Sequence, residues 1–354
     1  MRVTFVLPAP IRIPMGGAAV VYGYAERLAA RGHAVTIVSP RRTVPGWRGV
    51  AVDVAVQVRD RLHGVAPTAY YAAEGVDTRV IPRIRSAHVP DADVVVATGV
   101  QTARAVARLP DSAGAKVYFI QGDETFADPS ARETWHLPMH RVTCASWLAE
   151  AVRQSGEAVE AVVPNALDPD AFGVDVPLED RRAHIVALYH RHPVKGPDVL
   201  LDALRRIREE RPDVRISLFA ARPPSHTLSD GVEVHVRPAH DRLRALYNAA
   251  SVLLHPSRSE GWPLVPMEAA ACGCAIVACA NPGVMEYLTP GVSMASVPVG
   301  EGEALGDVAL TVLADDVLRR RLSDAARSAV LRTSWEASTE MLEATLRRVA
   351  GTSS

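Results

Sequence analysis

At 354 residues the chain exceeds the size at which one hydrophobic core keeps growing, so two domains are the default. Its 48% hydrophobic and 22% charged residues match a folded globular protein and exclude a disordered one. A net charge of −1 leaves no electrostatic reason to expect a nucleic-acid partner.

Taken in chain order, VTFVL (3–7) reads as a buried strand, followed by a loop containing Gly16 and Gly17. A helix near 18–31 stops at Gly32, and HAVTIVS (33–39) is the next strand. This strand–loop–helix–strand unit builds a parallel sheet through a right-handed crossover. Further strands are predicted at 52–58, 93–99, 116–122, 141–146 and 159–165, with helices near 100–109 and 146–155. The stretch 59–90, broken by Pro67, Pro82 and Pro90, has no clear pattern. The Asp/Pro-rich segment at 165–182 reads as a linker. The alternation then restarts: strand 184–189, helix 197–210, strands 214–220 and 232–237, helix 240–250, strand 251–257, helix 264–272, strand 275–280. Helical patterns at 303–314, 316–332 and 334–349 close the chain. The expectation is α/β, with two tandem doubly wound Rossmann-like domains at 1–165 and 183–333. A terminal helix at 334–354 is expected to pack back on the first domain. Such domains bind ligands beyond the carboxyl ends of their strands, and here also in an interdomain cleft.

That rule selects the chemistry. In HPSRSEGWPLVPMEAAACG (255–273), Glu260 follows a strand, Gly261 admits close backbone approach, and Pro263 and Pro266 suit a first helical turn. The free N–H groups and dipole of that turn suit an anion. Glu268, on the same helix, is placed to accept two hydrogen bonds from a vicinal diol such as a ribose. In LYHRHPVKGPDVLLDAL (188–204) a Lys-Gly pair opens a helix at a strand's end, which places Lys195 as a cation for a diphosphate. Only one other lysine, Lys116, occurs in the chain, so its position here is informative.

The run E-G-W-P-L-V-P-M-E-A-A-A-C-G resembles the signature E-G-F-G-L-P-x-x-E-A-M-A-C-G of the retaining GT-B glycosyltransferases of glycosyltransferase family 4. The resemblance in order and spacing runs from Arg2 to about Ala350. It implies that Glu268 holds the ribose and Glu260 lies near the donor sugar. The backbone of Gly261, Trp262, Pro263, Leu264 and Val265 would then meet diphosphate and sugar, with Pro263 standing where the family has Gly. The family's G-R-x-x-x-x-K-G is similar to the Lys195 segment. The expected Gly-Arg is Tyr189-His190 and Arg191 is displaced by one; of His190 and Arg191, Arg191 is preferred as the second phosphate contact. Gly16-Gly17 resembles the family's N-terminal glycine loop, and VVPNALDPDAF its hinge. Gln121 stands where the family often has a sugar-contacting His. Asp123 either orients the acceptor hydroxyl or is an ordinary loop acid.

The implied function is transfer of a hexose-type sugar from a nucleoside-diphosphate sugar to a hydroxyl of a cell-surface glycan or small metabolite, with retention and without metal. A nucleotide-sugar epimerase or phosphorylase, and a silent nucleotide-sugar-binding protein, are the alternatives. Asp91-Ala92-Asp93 and Asp168-Pro169-Asp170 read as DxD, but the first precedes a strand and the second sits in the linker, so no metal is expected. Gly16, Gly17 and Gly23 do not spell G-x-G-x-x-G, which disfavours a nicotinamide dinucleotide. The four cysteines read as small buried hydrophobes. With no apolar run of spanning length or signal-peptide start, a cytoplasmic location is expected. Residues 1–150 carry 17 basic and 13 acidic side chains (+4), the remainder 22 and 27 (−5), so peripheral membrane contact would fall to the first domain.

Overall fold

The computed structural model describes residues 1–41, 70–224, 228 and 230–352, and divides into two compact units. The strand expected at 52–58 lies outside the described residues. Met1–Pro164 and Glu336–Ser354 form the first unit and Asn165–Trp335 the second.

The first unit holds strands β1 Arg2–Val6, β2 Ala34–Pro40, β3 Val76–Ile81, β4 Val94–Ala97, β5 Ala115–Ile120, β6 His140–Thr143 and β7 Ala161–Val162. They pair in the order β3-β2-β1-β4-β5-β6-β7, all parallel. The central strands are buried on both faces, which is why they read as continuous apolar runs. β3 was not anticipated: four of its six residues are exposed at the sheet edge, so its sequence carries no apolar pattern. Helices α1 Gly16–Ala30, α2 Val100–Val106 and α3 Ser146–Gln154 supply the crossovers. The helix begins at Gly16, two residues earlier than predicted, so Gly16 and Gly17 form its first turn and not a preceding loop.

The second unit pairs β8 His184–Leu188, β9 Arg215–Ala220, β10 Val232–Val236, β11 Val252–His255, β12 Ala275–Cys279 and β13 Ala295–Val297 in the order β10-β9-β8-β11-β12-β13, again all parallel. Its helices are α4 Pro197–Glu210, α5 His240–Ala249, α6 Leu264–Ala271, the single turn α7 Pro282–Met285, α8 Gly302–Ala314 and α9 Asp316–Val330. Leu200, Ala203 and Ile207 of α4 and Leu305, Ala309 and Val312 of α8 pack on Ile185, Ile216, Leu254 and Val277 to make one core. α7 and β13 are too short to leave a periodic signal.

The stretch read as a linker is packed onto this unit. Asn248 Oδ1 accepts from the Asp175 and Val176 amides at 2.6 and 3.2 Å, and Phe172 lies 4.5 Å from the His240 ring. Arg181 is buried and donates to the carbonyls of Val176, Tyr247, Ala250 and Cys272. Side-chain hydrogen bonds to loop carbonyls hold it in place, and these leave no apolar periodicity to read.

The terminal helix, α10 Trp335–Thr352, belongs to the first unit from Glu336 onward. Glu343 accepts from Arg31 at 2.8 Å and His33 at 2.9 Å, and Arg348 pairs with Glu160. All four cysteines are buried thiols outside any disulfide, and burial pushes Cys272 and Cys274 up to about 12.

Candidate functional site

In each sheet the strand order reverses at one point, β1/β4 in the first unit and β8/β11 in the second. There the connections leave in opposite directions and open a crevice at the carboxyl ends of the strands. The second crevice brings two of the predicted residues into contact. Lys195 ends the turn Pro193–Lys195 after β8, and Glu260 follows β11. Gly196 has φ +64, and a Cβ there would lie 2.2 Å from the Pro256 carbonyl oxygen. The Lys-Gly pair therefore lets the loop after β11 press onto the turn after β8. The contact is closed by the Arg258 amide on the Val194 carbonyl at 2.8 Å and the Arg258 guanidinium on Asp198 at 2.7 Å. Lys195 Nζ then donates to both Glu260 carboxylate oxygens, at 2.8 and 2.7 Å. Burial is the largest single influence on the Glu260 carboxyl and pushes it up, but the Lys195 ammonium, with His255 and a Ser257 hydrogen bond, outweighs it and holds the group below the usual range, ionised at neutral pH.

α7 braces the other side of this loop. Asn281, fully buried, donates to the Ser257 carbonyl at 3.1 Å, and a Cβ on Gly283 would fall 2.3 Å from the Glu260 carbonyl oxygen. His255 closes β11 as a buried imidazole that burial drives down to about 4, hence neutral, and its Nε2 has no hydrogen-bond partner.

Pro263 is the N-cap of α6, whose first turn, Leu264 and Val265, has no side-chain cap. The turn is positioned by Tyr287, which donates to the Pro263 carbonyl at 2.6 Å and stacks against Trp262 at 5.3 Å. Asn165 donates to the Trp262 carbonyl at 3.3 Å, leaving its own buried Oδ1 without a partner. One and a half turns into the helix, Glu268 accepts from the Tyr247 hydroxyl at 3.0 Å. With a neutral donor in place of a cation, burial raises this carboxyl to about 7. The two acids thus stand in opposite electrostatic states.

In the first unit Gly16 and Gly17 open α1 after β1, and Gln121 follows β5. A Cβ on Gly17 would lie 3.3 Å from Gln121 Oε1, a buried oxygen without a partner, so glycine permits the close approach. Asp123 is taken up by Arg132, at 2.6 and 3.1 Å, and by the Thr125 amide. Its neighbour Glu124 accepts from the Val100 amide at 3.1 Å, and burial raises its pKa. Arg191 is exposed and its guanidinium donates to the Pro223 carbonyl, while His190 Nδ1 accepts from the His192 amide at 3.1 Å. Asp93 binds the Arg2 amide and guanidinium at 2.7 and 3.0 Å, and Asp168 accepts from the Asp170 amide, so both DxD runs serve local structure. Among the described residues no group of three or more His, Cys, Asp or Glu is set to hold a metal ion.

Tyr247, Tyr287, Asn281, Gly283 and Glu124 were missed by sequence reasoning. The first four act through neighbours brought close by sheet order, which spacing does not reveal; Glu124 was overlooked beside Asp123, in a loop already singled out.

The family model for glycosyl transferases group 1 matches residues 175–329. That stretch, under half of the chain, is similar to the group 1 glycosyl transferases. The matched stretch contains Lys195, Glu260, Glu268 and the turn between the two acids. Curated relatives include a D-inositol 3-phosphate glycosyltransferase of Xylanimonas cellulosilytica, 37% identical over 218 residues, 53% of this chain and 52% of the relative. A phosphatidyl-myo-inositol mannosyltransferase of Mycobacterium tuberculosis is 30% identical over 225 residues, 58% and 57% of the two chains. The chain thus spans about half the length of the curated relatives it matches. Among solved structures, Anabaena HepE in complex with UDP-glucose is similar with a TM-score of 0.73 at 17% identity, over 98% of this chain and 100% of HepE. Sucrose-phosphate synthase of Thermosynechococcus elongatus gives 0.75 at 15%, over 99% of each. At such identity the likeness speaks to the fold, and the fold is the expected GT-B arrangement of two Rossmann-like units. Among the described residues no helix is long and apolar enough to cross a membrane.

Proposed function

We propose that this protein transfers a hexose-type sugar from a nucleoside-diphosphate sugar to a hydroxyl acceptor, with retention and without a metal ion. The observation that carries this reading is the Lys195–Glu260 pair at the β8/β11 crevice, next to the uncapped first turn of α6. A diphosphate entering there offers Lys195 a second anion. It also meets the N–H groups of Leu264 and Val265, where the helix dipole favours negative charge. As the bond between the sugar's anomeric carbon and the phosphate oxygen breaks, the electron pair stays on that oxygen. The ammonium and the helix end stabilise the growing charge. The acceptor hydroxyl bonds to the anomeric carbon on the face being vacated, and its proton passes to the leaving phosphate oxygen, so no protein nucleophile is required. Glu260, ionised and accepting only, takes hydrogen bonds from sugar hydroxyls. Glu268 receives the ribose diol. Gln121, beside Gly17, is the first unit's own candidate for a sugar or acceptor contact, and Arg191 gives the second phosphate contact on release from Pro223. Asp123, already bound by Arg132, shapes the loop that carries Gln121.

HepE was solved with UDP-glucose and the curated relatives are named for inositol-type acceptors, so UDP-sugars and inositol polyols are the first substrates to try. Melting temperature is measured with saturating UDP, GDP, dTDP and NAD, followed by nucleoside-diphosphate release from the matching sugar nucleotide. Ligand at 100 times its dissociation constant adds about 2.7 kcal/mol, a rise of several degrees. Lys195→Ala should lower turnover about tenfold or more, and Glu268→Ala should weaken donor binding. No shift with any diphosphate, or a shift with NAD alone, overturns the reading.

A further inference from the structure

We infer that Tyr247 is a positioning residue for nucleotide choice: by holding one oxygen of Glu268 it makes the site take ribonucleoside diphosphates and refuse their 2′-deoxy counterparts. The inference rests on the donor-site reading above and adds to it a residue and a selectivity.

The Tyr247 hydroxyl lies 3.0 Å from Glu268 Oε2 and cannot readily turn elsewhere. Its ring is fully buried, edge-on to Phe219 with centroids 5.7 Å apart at 90°, and 6.0 Å from Phe172. Its own carbonyl accepts from Cys274 Sγ at 3.1 Å and Arg181 Nη1 at 3.2 Å, which ties this end of α5 to Arg181 and to the Cys274 turn after α6. The phenol is therefore a fixed donor, and the carboxylate plane of Glu268 is set by it.

A carboxylate has about four acceptor positions on its two oxygens. With one filled by Tyr247, the group still accepts from two neighbouring hydroxyls, the arrangement a ribose 2′,3′-diol provides. A 2′-deoxyribose supplies one donor and leaves the other carboxylate position desolvated and unfilled. A site built around a hydroxyl rejects the analogue that lacks it, because its own buried polar group is then unpaired. Tyr247 is the one hydrogen-bond donor recorded for the Glu268 carboxylate among the described residues. Without it the carboxylate is free to rotate and more readily protonated, and a protonated carboxyl loses acceptor capacity.

The test is titration calorimetry on the full chain at pH 8 with UDP, GDP and ADP and the 2′-deoxy form of each. Wild type, Tyr247→Phe and Glu268→Gln are compared, with melting temperatures recorded alongside. Phenylalanine keeps the ring and its packing, so the fold should be retained. For the nucleotide that binds, wild type should favour the ribo form by about tenfold or more. In Tyr247→Phe the ribo form should weaken about tenfold while the deoxy form is unchanged, bringing the ratio within about threefold of unity, as in Glu268→Gln. If wild type discriminates and Tyr247→Phe discriminates equally, the inference about Tyr247 fails while the Glu268 assignment stands. If wild type binds ribo and deoxy forms alike, both fail. If no nucleotide binds, the proposed function fails with them.

Discussion

Replacing Lys195 by methionine keeps most of the side-chain length and removes the charge, leaving Glu260 in place without its ammonium. The pair is short, at 2.7 and 2.8 Å, with the lysine side chain 30% and the glutamate side chain 12% exposed. Removing one partner of a fully buried pair costs about 3–5 kcal/mol, and a surface pair contributes under about 1. The partial exposure of Lys195 places this case between, at about 1–3 kcal/mol, or roughly 2–10 °C in melting temperature for a domain of this size. The effect must depend on pH. In wild type the Glu260 carboxyl is held below its ordinary value, so the pair contributes above the unfolded-state pKa of about 4.3 and is lost as pH falls through the folded one. In the variant burial, the largest single influence, is opposed only by His255 and Ser257, so the carboxyl rises and the penalty grows above the unfolded-state pKa. Urea unfolding at pH 7.5 and pH 4 should therefore show the full gap at the first and a much smaller one at the second. Adding Glu260→Gln to the variant should restore most of the loss at pH 7.5. A gap of equal size at both pH values, or none at pH 7.5, would refute the reasoning.

Three further outcomes are expected. Glu268→Gln removes a carboxyl whose folded pKa is raised to about 7, so its ionisation costs stability progressively from the unfolded value upward. The variant should be more stable than wild type by about 3–4 kcal/mol at pH 8 and equal to it near pH 4, by chemical denaturation. Gly196→Ala forces a side chain into left-handed backbone 2.2 Å from the Pro256 carbonyl, and should cost about 1–3 kcal/mol and weaken the thermal response to UDP. Glu343, held at about 2 by its bonds to Arg31, Arg347 and His33, stabilises α10 above the ordinary carboxyl pKa and loses that effect as pH falls toward 2. Glu343→Gln should speed amide exchange in α10 at pH 7, with the difference from wild type shrinking below about pH 4.

Much of this arrangement was legible before the structure. Strands buried on both faces announce themselves as apolar runs, which is why β1, β8, β9 and β12 were found. Lys195, Glu260 and Glu268 could be singled out because strand ends and helix starts could be located, and the structure brings the first two into contact. What escaped had no local signature. β3 lies exposed at an edge, α7 is a single turn, and 165–182 is held by Arg181 and Asn248 bonding to backbone. Tyr247 in α5 looked like any apolar helix residue. Its role depends on α6 lying alongside, a neighbour set by the β8/β11 reversal. Asp123 drew attention as the conspicuous acid, yet an arginine nine residues away occupies it.

The first unit is discontinuous, its sheet closed by a helix that arrives from the far side of the second unit in sequence. Every residue assigned to the nucleotide, by contrast, lies between Asn165 and Trp335. A chimera that imports a new first unit from a relative must therefore be cut twice, near 164/165 and near 335/336, and must bring its own terminal helix. A single crossover would pair α10 with a foreign sheet and strand the carboxylate of Glu343 without Arg31 and His33.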